Sequence, residues 1–219
     1  MSDIITLFPT SIGRYKFERG LKYKEINTIN NQTQSDLLIT NQGGGYTTKS
    51  GEILEHKDLY DIKTFILQSL NSYIDYTCKP VDDSLDIQIT QSWCNLAPAS
   101  TFHHLHKHDN SIFSGVFYIK VNMNDKIIFH RPPSANQIVW PVTEENIFNC
   151  KTWWIPVTTG DLLIFDSSLY HEVPRLTSEY PDMRISLSFN TFFTGKIGTV
   201  INKTLLNIEK ITVSNEKNS

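Results

Sequence analysis

The sequence predicts a mainly β fold with helices toward its N-terminus, and within the β part a double-stranded β-helix, or jelly roll. Three observations predict it. From residue 85 onward, short segments of alternating or β-branched character follow one another: "LDIQITQSWCNL", "FSGVFYIKV", "DKIIFHR", "KTWWIPV", "GDLLIFD" and "RISLSFNTFF". Gly, Pro, Asn and Asp separate them with no helical period between, the pattern of a sandwich or barrel. Ahead of them the stretch 57–77 places Leu59, Ile62, Phe65, Ile66, Leu70, Tyr73 and Ile74 at three- and four-residue spacing, which is one face of a helix. Finally, a hydrophobic content of 39% in 219 residues suffices for the core of one domain.

Taken in order, "LFPTSIGRYKFE" reads as an edge strand entered through Pro9. The stretch 41–51, "NQGGGYTTKSG", reads as a loop, because three consecutive glycines hold neither a helix nor a strand interior. The 57–77 helix has Asp58 in place for an N-cap and Pro80 for a stop. We expect one domain over 1–219, with strand and helical support in 1–84, the β-helix core in 85–193, and a C-terminal extension in 194–219. The polar end of that extension, "IEKITVSNEKNS", is expected to fray.

The net charge of −3 gives no basic field for nucleic acid or an anionic membrane. Cys78, Cys94 and Cys150 are an odd set without paired spacing, which suggests reduced thiols. The first residues lack the basic and apolar regions of a secretory leader, and no apolar run reaches the ~20 residues of a membrane span. A cytoplasmic location in a bacterium or a phage-infected host follows as the default expectation. A homodimer is left open.

The chemistry lies in the β-rich half. Four of the seven histidines crowd into "HHLHKH", as His103, His104, His106 and His108, at the mouth of a strand. If 104–108 is extended, His104, His106 and His108 share one face, and His103 and Asp109 the other. A His-x-His pair can then put two imidazoles on one metal ion. His171, after "GDLLIFDSSLY", offers a third from another strand end. His56 and His130 read as surface or loop residues. In "MRISLSFNTFF", Arg184, Ser186, Ser188 and Asn190 share a face, with Ile185, Leu187 and Phe189 on the other. An Arg followed by a Ser two residues on can grip a carboxylate bidentately with a hydroxyl beside it. Solvated strand-end histidines and an ordinary outward polar face are the plain alternatives. Trp93, Trp140, Trp153 and Trp154 read as core or rim packing before substrate stacking. The Pro-rich 130–156 stretch reads as a lid or as a structural insertion.

In this order and spacing the motifs resemble the iron(II)- and 2-oxoglutarate-dependent dioxygenases, and more narrowly the 2-oxoglutarate oxygenases of bacteria and phages. The resemblance rests on Leu7–Thr10, Gly44–Lys49, Ser92 to Asn95, His106 to Tyr118, Gly160 to His171 and Arg184 to Asn190, and covers roughly residues 5 to 193. It implies a jelly-roll enzyme using Fe(II), 2-oxoglutarate and O2, which hydroxylates a substrate with release of succinate and CO2. It implies His106 and His171 as iron ligands, Arg184 and Ser186 on the cosubstrate's far carboxylate, and Tyr118 and Asn95 as further cosubstrate contacts. The chain departs from the superfamily at the second ligand, where an acid is usual. Here that position is His108, with Asp109 one further on as the alternative, and strand parity favours His108. The competing reading is a cupin-like metal barrel, an isomerase or sensor, which leaves Arg184 and Ser186 unexplained. The prime substrate, whether small molecule or peptide, is not legible.

Overall fold

The computed structural model describes residues 3–80, 85–133, 141–175 and 182–209. Trp140 and the tail beyond residue 209 lie outside the described residues. So does part of the 130–156 stretch. Over the described residues the chain runs β1 (Ile12–Lys16), α1 (Tyr23–Gln32), β2 (Leu38–Thr40), β3 (Tyr46–Thr48), α2 (Tyr60–Thr77), β4 (Leu85–Ala97), β5 (His103–His106), β6 (Phe113–Lys120), β7 (Lys126–His130), β8 (Thr152–Pro156), β9 (Asp161–Asp166), β10 (His171–Val173), β11 (Arg184–Ile197) and β12 (Thr204–Leu206).

The strands form two sheets. The larger has the order β1-β9-β6-β11-β4-β3-β2, with β12 also paired to β11. The smaller is β5-β10-β7-β8. All pairings between these strands are antiparallel. The six strand segments read from the sequence all appear, and β1 is an edge strand as expected.

Because side chains alternate along a strand, the larger sheet has two faces of different character. Its outer face carries Leu162, Ile164, Phe117, Leu187, Phe189 and Cys94, all fully buried beneath Leu59, Ile62, Ile66 and Leu70 of the α2 region. This is the covering that the apolar side of "RISLSFN" required. Packing is close enough at Gly115 that a Cβ would fall on the Phe189 ring and 2.9 Å from the Leu163 carbonyl. The inner face meets the smaller sheet. There Val116, Leu163 and Phe165 pack with Ile127, Phe129, Val157 and Leu169.

Three local expectations are corrected. Asp58 does not cap α2. A 3₁₀ turn over Lys57–Leu59 precedes the helix, and the Asp58 carboxylate accepts from Thr28 Oγ1 at 3.2 Å, tying α1 to this turn. The 41–51 stretch is not all loop. Gly43 and Gly44 turn the chain at φ 98° and 84°, but Tyr46–Thr48 then pairs between β2 and β4. The helix α1 was not anticipated, since "YKEINTINNQ" carries too few apolar residues to show a period. Polar contacts hold it instead. The buried Glu25 accepts from the Lys22 backbone at 2.6 Å and pairs with Arg19, which also reaches Asp61 of α2.

Candidate metal centre

The smaller sheet brings His106 and His171 together by direct pairing, since they are register partners across β5 and β10. His108 lies two residues past the end of β5. The ligand nitrogens of His106, His108 and His171 all fall within 4.8 Å of one another, and Nε2 of His108 is 3.3 Å from Nε2 of His171. Metal–nitrogen bonds of about 2.0–2.1 Å require neighbouring ligand atoms at roughly this second spacing.

The chemistry of the donors fits a divalent metal. Nδ1 of His106 faces the His104 carbonyl at 2.8 Å, and Nδ1 of His171 faces the Leu169 carbonyl at 2.9 Å. A carbonyl only accepts, so each Nδ1 carries the proton and each Nε2 keeps its lone pair. Such a partner behind the ligand fixes the ring's tautomer and orientation. Burial, then the neighbouring imidazoles, push His171 down to about 3 and His108 to about 4, and burial also lowers His106. All three are neutral at pH 7, as metal ligands must be.

Asp109 is not in the cluster. Its side chain is 76% exposed and pairs with Lys107 at 2.8 Å. The expectation that 104–108 is one extended strand is also corrected. β5 ends at His106, and the His108 backbone N–H donates instead to the Ser167 carbonyl at 2.9 Å. Parity fails at His103 as well. A bulge between the His171/His106 and Val173/His103 pairs breaks the alternation, and the His103 ring stacks on His106 at 4.4 Å. His103 is thus beside the cluster rather than on the far face. No sequence signal marks a register shift of this kind. His56 is exposed, as expected. His130 is no loop residue. It ends β7, half-buried, with Nε2 3.1 Å from Glu172 of β10.

The stripe Arg184, Ser186, Ser188 and Asn190 is buried on the inner face, each residue at most 7% exposed. Arg184 is the unusual member. Its one acceptor among the described residues is Asp125, at a long 3.5 Å, though five N–H donors are available. Asp125 is itself buried and was not singled out from sequence. Tyr118 is the register partner of Ser186, and Asn95 is its partner from the other side. Burial raises the Tyr118 phenol and the Arg184 charge opposes that rise. The Asn95 amide is engaged at both ends, by Thr47 at 2.9 Å and Ser188 at 3.0 Å. Trp93 lies beside the centre, its ring 5.6 Å from that of His108. Trp153 and Trp154 sit on β8, an edge strand, and are about half exposed.

A jelly roll that gathers three neutral imidazoles has the donors to hold one divalent metal ion. Residues 91–190 match the model of the family described as "Putative 2OG-Fe(II) oxygenase". Among solved structures, the chain is similar to a Pseudomonas putida prolyl-4-hydroxylase (14% identity, 83% of this chain and 92% of that one, TM-score 0.50). It is also similar to a prolyl hydroxylase from Trichoplax adhaerens in complex with a hypoxia inducible factor peptide (16%, 82% and 83%, TM-score 0.52). A third likeness is to the epimerase SnoN in complex with Fe3+, alpha ketoglutarate and nogalamycin RO (9%, 85% and 81%, TM-score 0.57). At these identities the likenesses establish the double-stranded β-helix. No curated protein sequence matches the chain. The family match runs from β4 into β11 and takes in His106, His108, His171 and Arg184.

Proposed function

We propose that the protein hydroxylates a small-molecule or peptide substrate in the cytoplasm, with His106, His108 and His171 holding iron and Arg184 holding the far carboxylate of 2-oxoglutarate. The observation that carries this reading is the buried Arg184, whose guanidinium has, among the described residues, a single long contact to Asp125 and donors to spare, on the face of the larger sheet that meets the sheet carrying His106 and His171. A buried cation with unused donors is a preformed anion site. A metal barrel without a dianionic cosubstrate has no need of it, which disfavours the cupin-like alternative.

Each residue then has a defined task. The three imidazoles offer neutral nitrogen donors and no charge, so a loaded centre keeps both positive charges of Fe(II). With Arg184 beside it, the pocket favours a dianion. Arg184 would fix one end of 2-oxoglutarate by its planar fork, with Ser186 two residues further along β11 and Tyr118 paired to Ser186 from the neighbouring β6. Asn95 acts through Ser188, to which its amide donates. Bound iron and cosubstrate supply the oxidising chemistry, in which 2-oxoglutarate and O2 become succinate and CO2 as a substrate C–H bond is oxidised. Trp93, half-buried beside His108, bounds the space a substrate would enter.

No helix among the described residues is long and apolar enough to cross a membrane. The experiment is succinate release from 2-oxoglutarate with and without Fe(II), screened over a library of metabolites and peptides. Iron-dependent succinate that rises with one substrate class supports the proposal. Iron binding without any succinate across the library contradicts it.

A further inference from the structure

Asp125 is buried beside Arg184, with side-chain exposures of 1% and 8%. Burying a carboxylate is costly, and the surroundings show what keeps this one in place. Asp125 closes the turn between β6 and β7. Its Oδ2 accepts from the Asn122 backbone at 2.8 Å, and its own N–H donates to the Asn122 carbonyl at 3.2 Å. Its carbonyl accepts from Val157, just past β8, at 3.0 Å. Asn122 in turn clasps the segment ahead of β11 with both ends of its amide. Nδ2 donates to the Asp182 carbonyl at 2.9 Å, and Oδ1 accepts from the Asp182 N–H at 2.8 Å.

The turn is therefore tied to the chain two residues before Arg184, and the Asp125 carboxylate is fixed on both sides. Oδ2 is committed to the backbone, while Oδ1 faces Arg184 Nη1 at 3.5 Å. At that distance a hydrogen bond is weak, but the attraction of opposite charges is not, since it falls off only slowly with separation. Asp125 thus acts on Arg184 as a fixed counter-charge and leaves the guanidinium's donors open. An anion that takes those donors lies within a guanidinium's breadth of this carboxylate. Bound as a single carboxylate, it leaves one net negative charge among the three groups. An end group with two charges would leave two, in a buried place.

We propose that Asp125 is a specificity-determining residue of the anion site, a fixed charge that limits what Arg184 accepts to an end group of one charge, a carboxylate rather than a phosphate or phosphonate. The inference rests on the reading of Arg184 as the partner of the cosubstrate's far carboxylate. It accounts for a buried carboxylate standing next to a cation whose donors are kept for an anion. A site meant for as much negative charge as possible would have no such neighbour.

The test is calorimetric titration of the nickel-loaded full-length protein with two keto acids. One is 2-oxoglutarate. The other is 2-oxo-4-phosphonobutanoate, in which a phosphonate of up to two charges replaces the far carboxylate. The wild type should bind the phosphonate about 10-fold more weakly or worse, as like charges placed side by side require. Asp125→Asn keeps an oxygen for the Asn122 N–H and removes the charge, so the phosphonate should gain about 10-fold relative to 2-oxoglutarate. The ratio of the two affinities is what is read. A turn that is merely loosened weakens both ligands alike, and the larger phosphonate is equally large for both proteins. Asp125→Ala should shift the ratio in the same direction, and it decides the matter should Asp125→Asn not fold. Equal affinity of the wild type for the two keto acids would overturn the proposal. So would a deciding variant in which the phosphonate gains nothing relative to 2-oxoglutarate. Wild-type affinity for 2-oxoglutarate in Arg184→Ala would instead remove the anion site itself, and the reading of Arg184 would fall with the inference.

Discussion

The two faces of β11 are made of alternate residues of one strand, yet they obey opposite rules. Leu187 and Phe189 point out to α2 and are fully buried among apolar side chains. Arg184, Ser186, Ser188 and Asn190 point in and are almost as deeply buried, but every one is polar. Burying unpaired polar groups costs stability, so a buried polar face persists only where hydrogen bonds or a ligand satisfy it. Ser188 and Asn190 are satisfied within the protein. Arg184 is largely not, and that difference separates scaffold from site.

The comparison can be broken first at its apolar side. Phe189→Ala should cost about 3–5 kcal/mol of stability, the usual range for a fully buried Phe. Cobalt affinity should stay near wild type, with denaturant unfolding and metal titration read on the same samples. Loss of metal binding in a folded Phe189→Ala protein would mean that the faces are not independent. The polar side is tested by Arg184→Ala. Truncating one partner of a buried charged pair costs about 2–5 kcal/mol, or roughly 30-fold to several-thousand-fold in affinity for 2-oxoglutarate. Calorimetry on the nickel-loaded protein should show this loss with metal affinity retained, and equal cosubstrate affinity would refute the assignment.

Acid should expose the polar side next. The metal-free folded protein holds His171 down at about 3 and His108 at about 4, chiefly by burial, against about 6.5 in an unfolded chain. Below 6.5 the unfolded chain binds protons that the folded one does not. The stability these neutral groups contribute is therefore whole above pH 6.5 and is lost as pH falls toward 4 and below, by at most about 1.4 kcal/mol per pH unit for each group. Denaturant midpoints of the metal-free protein should fall steadily from pH 7 to pH 5, and a flat profile would show that these imidazoles are not held neutral. The smallest effect belongs to Asp109→Ala, which should leave cobalt affinity unchanged, since that carboxylate faces Lys107 and solvent.

Period-two and period-three-to-four patterns made much of this fold legible. The strand alternation in "RISLSFN" and the stripe from Leu59 to Ile74 need each other, and a reader of either could infer the other. Arg184 was legible because it begins a strongly patterned strand, and His171 because it follows one closely, although it opens the short β10. What the sequence concealed was irregularity. The bulge that turns His103 inward leaves no trace in residue order, because a single slipped residue changes pairing but not composition. The end of β5 at His106 was likewise hidden, so His108 was placed beside His106 and His171 by a parity argument that does not apply to a turn. The polar helix α1 was missed because Glu25 and Arg19, rather than an apolar stripe, hold it. Asp125 was missed because a buried carboxylate beside an arginine has no local motif.

The central claim is that the histidine cluster and Arg184 serve one metal and one keto acid together. It is met most directly by adding 2-oxoglutarate to the iron(II) protein without oxygen and following the visible charge-transfer absorption of the chelated keto acid. A saturable band should appear in the wild type and be absent from His106→Ala and His171→Ala. No band in the wild type at millimolar 2-oxoglutarate, or an unchanged band in both variants, would contradict it.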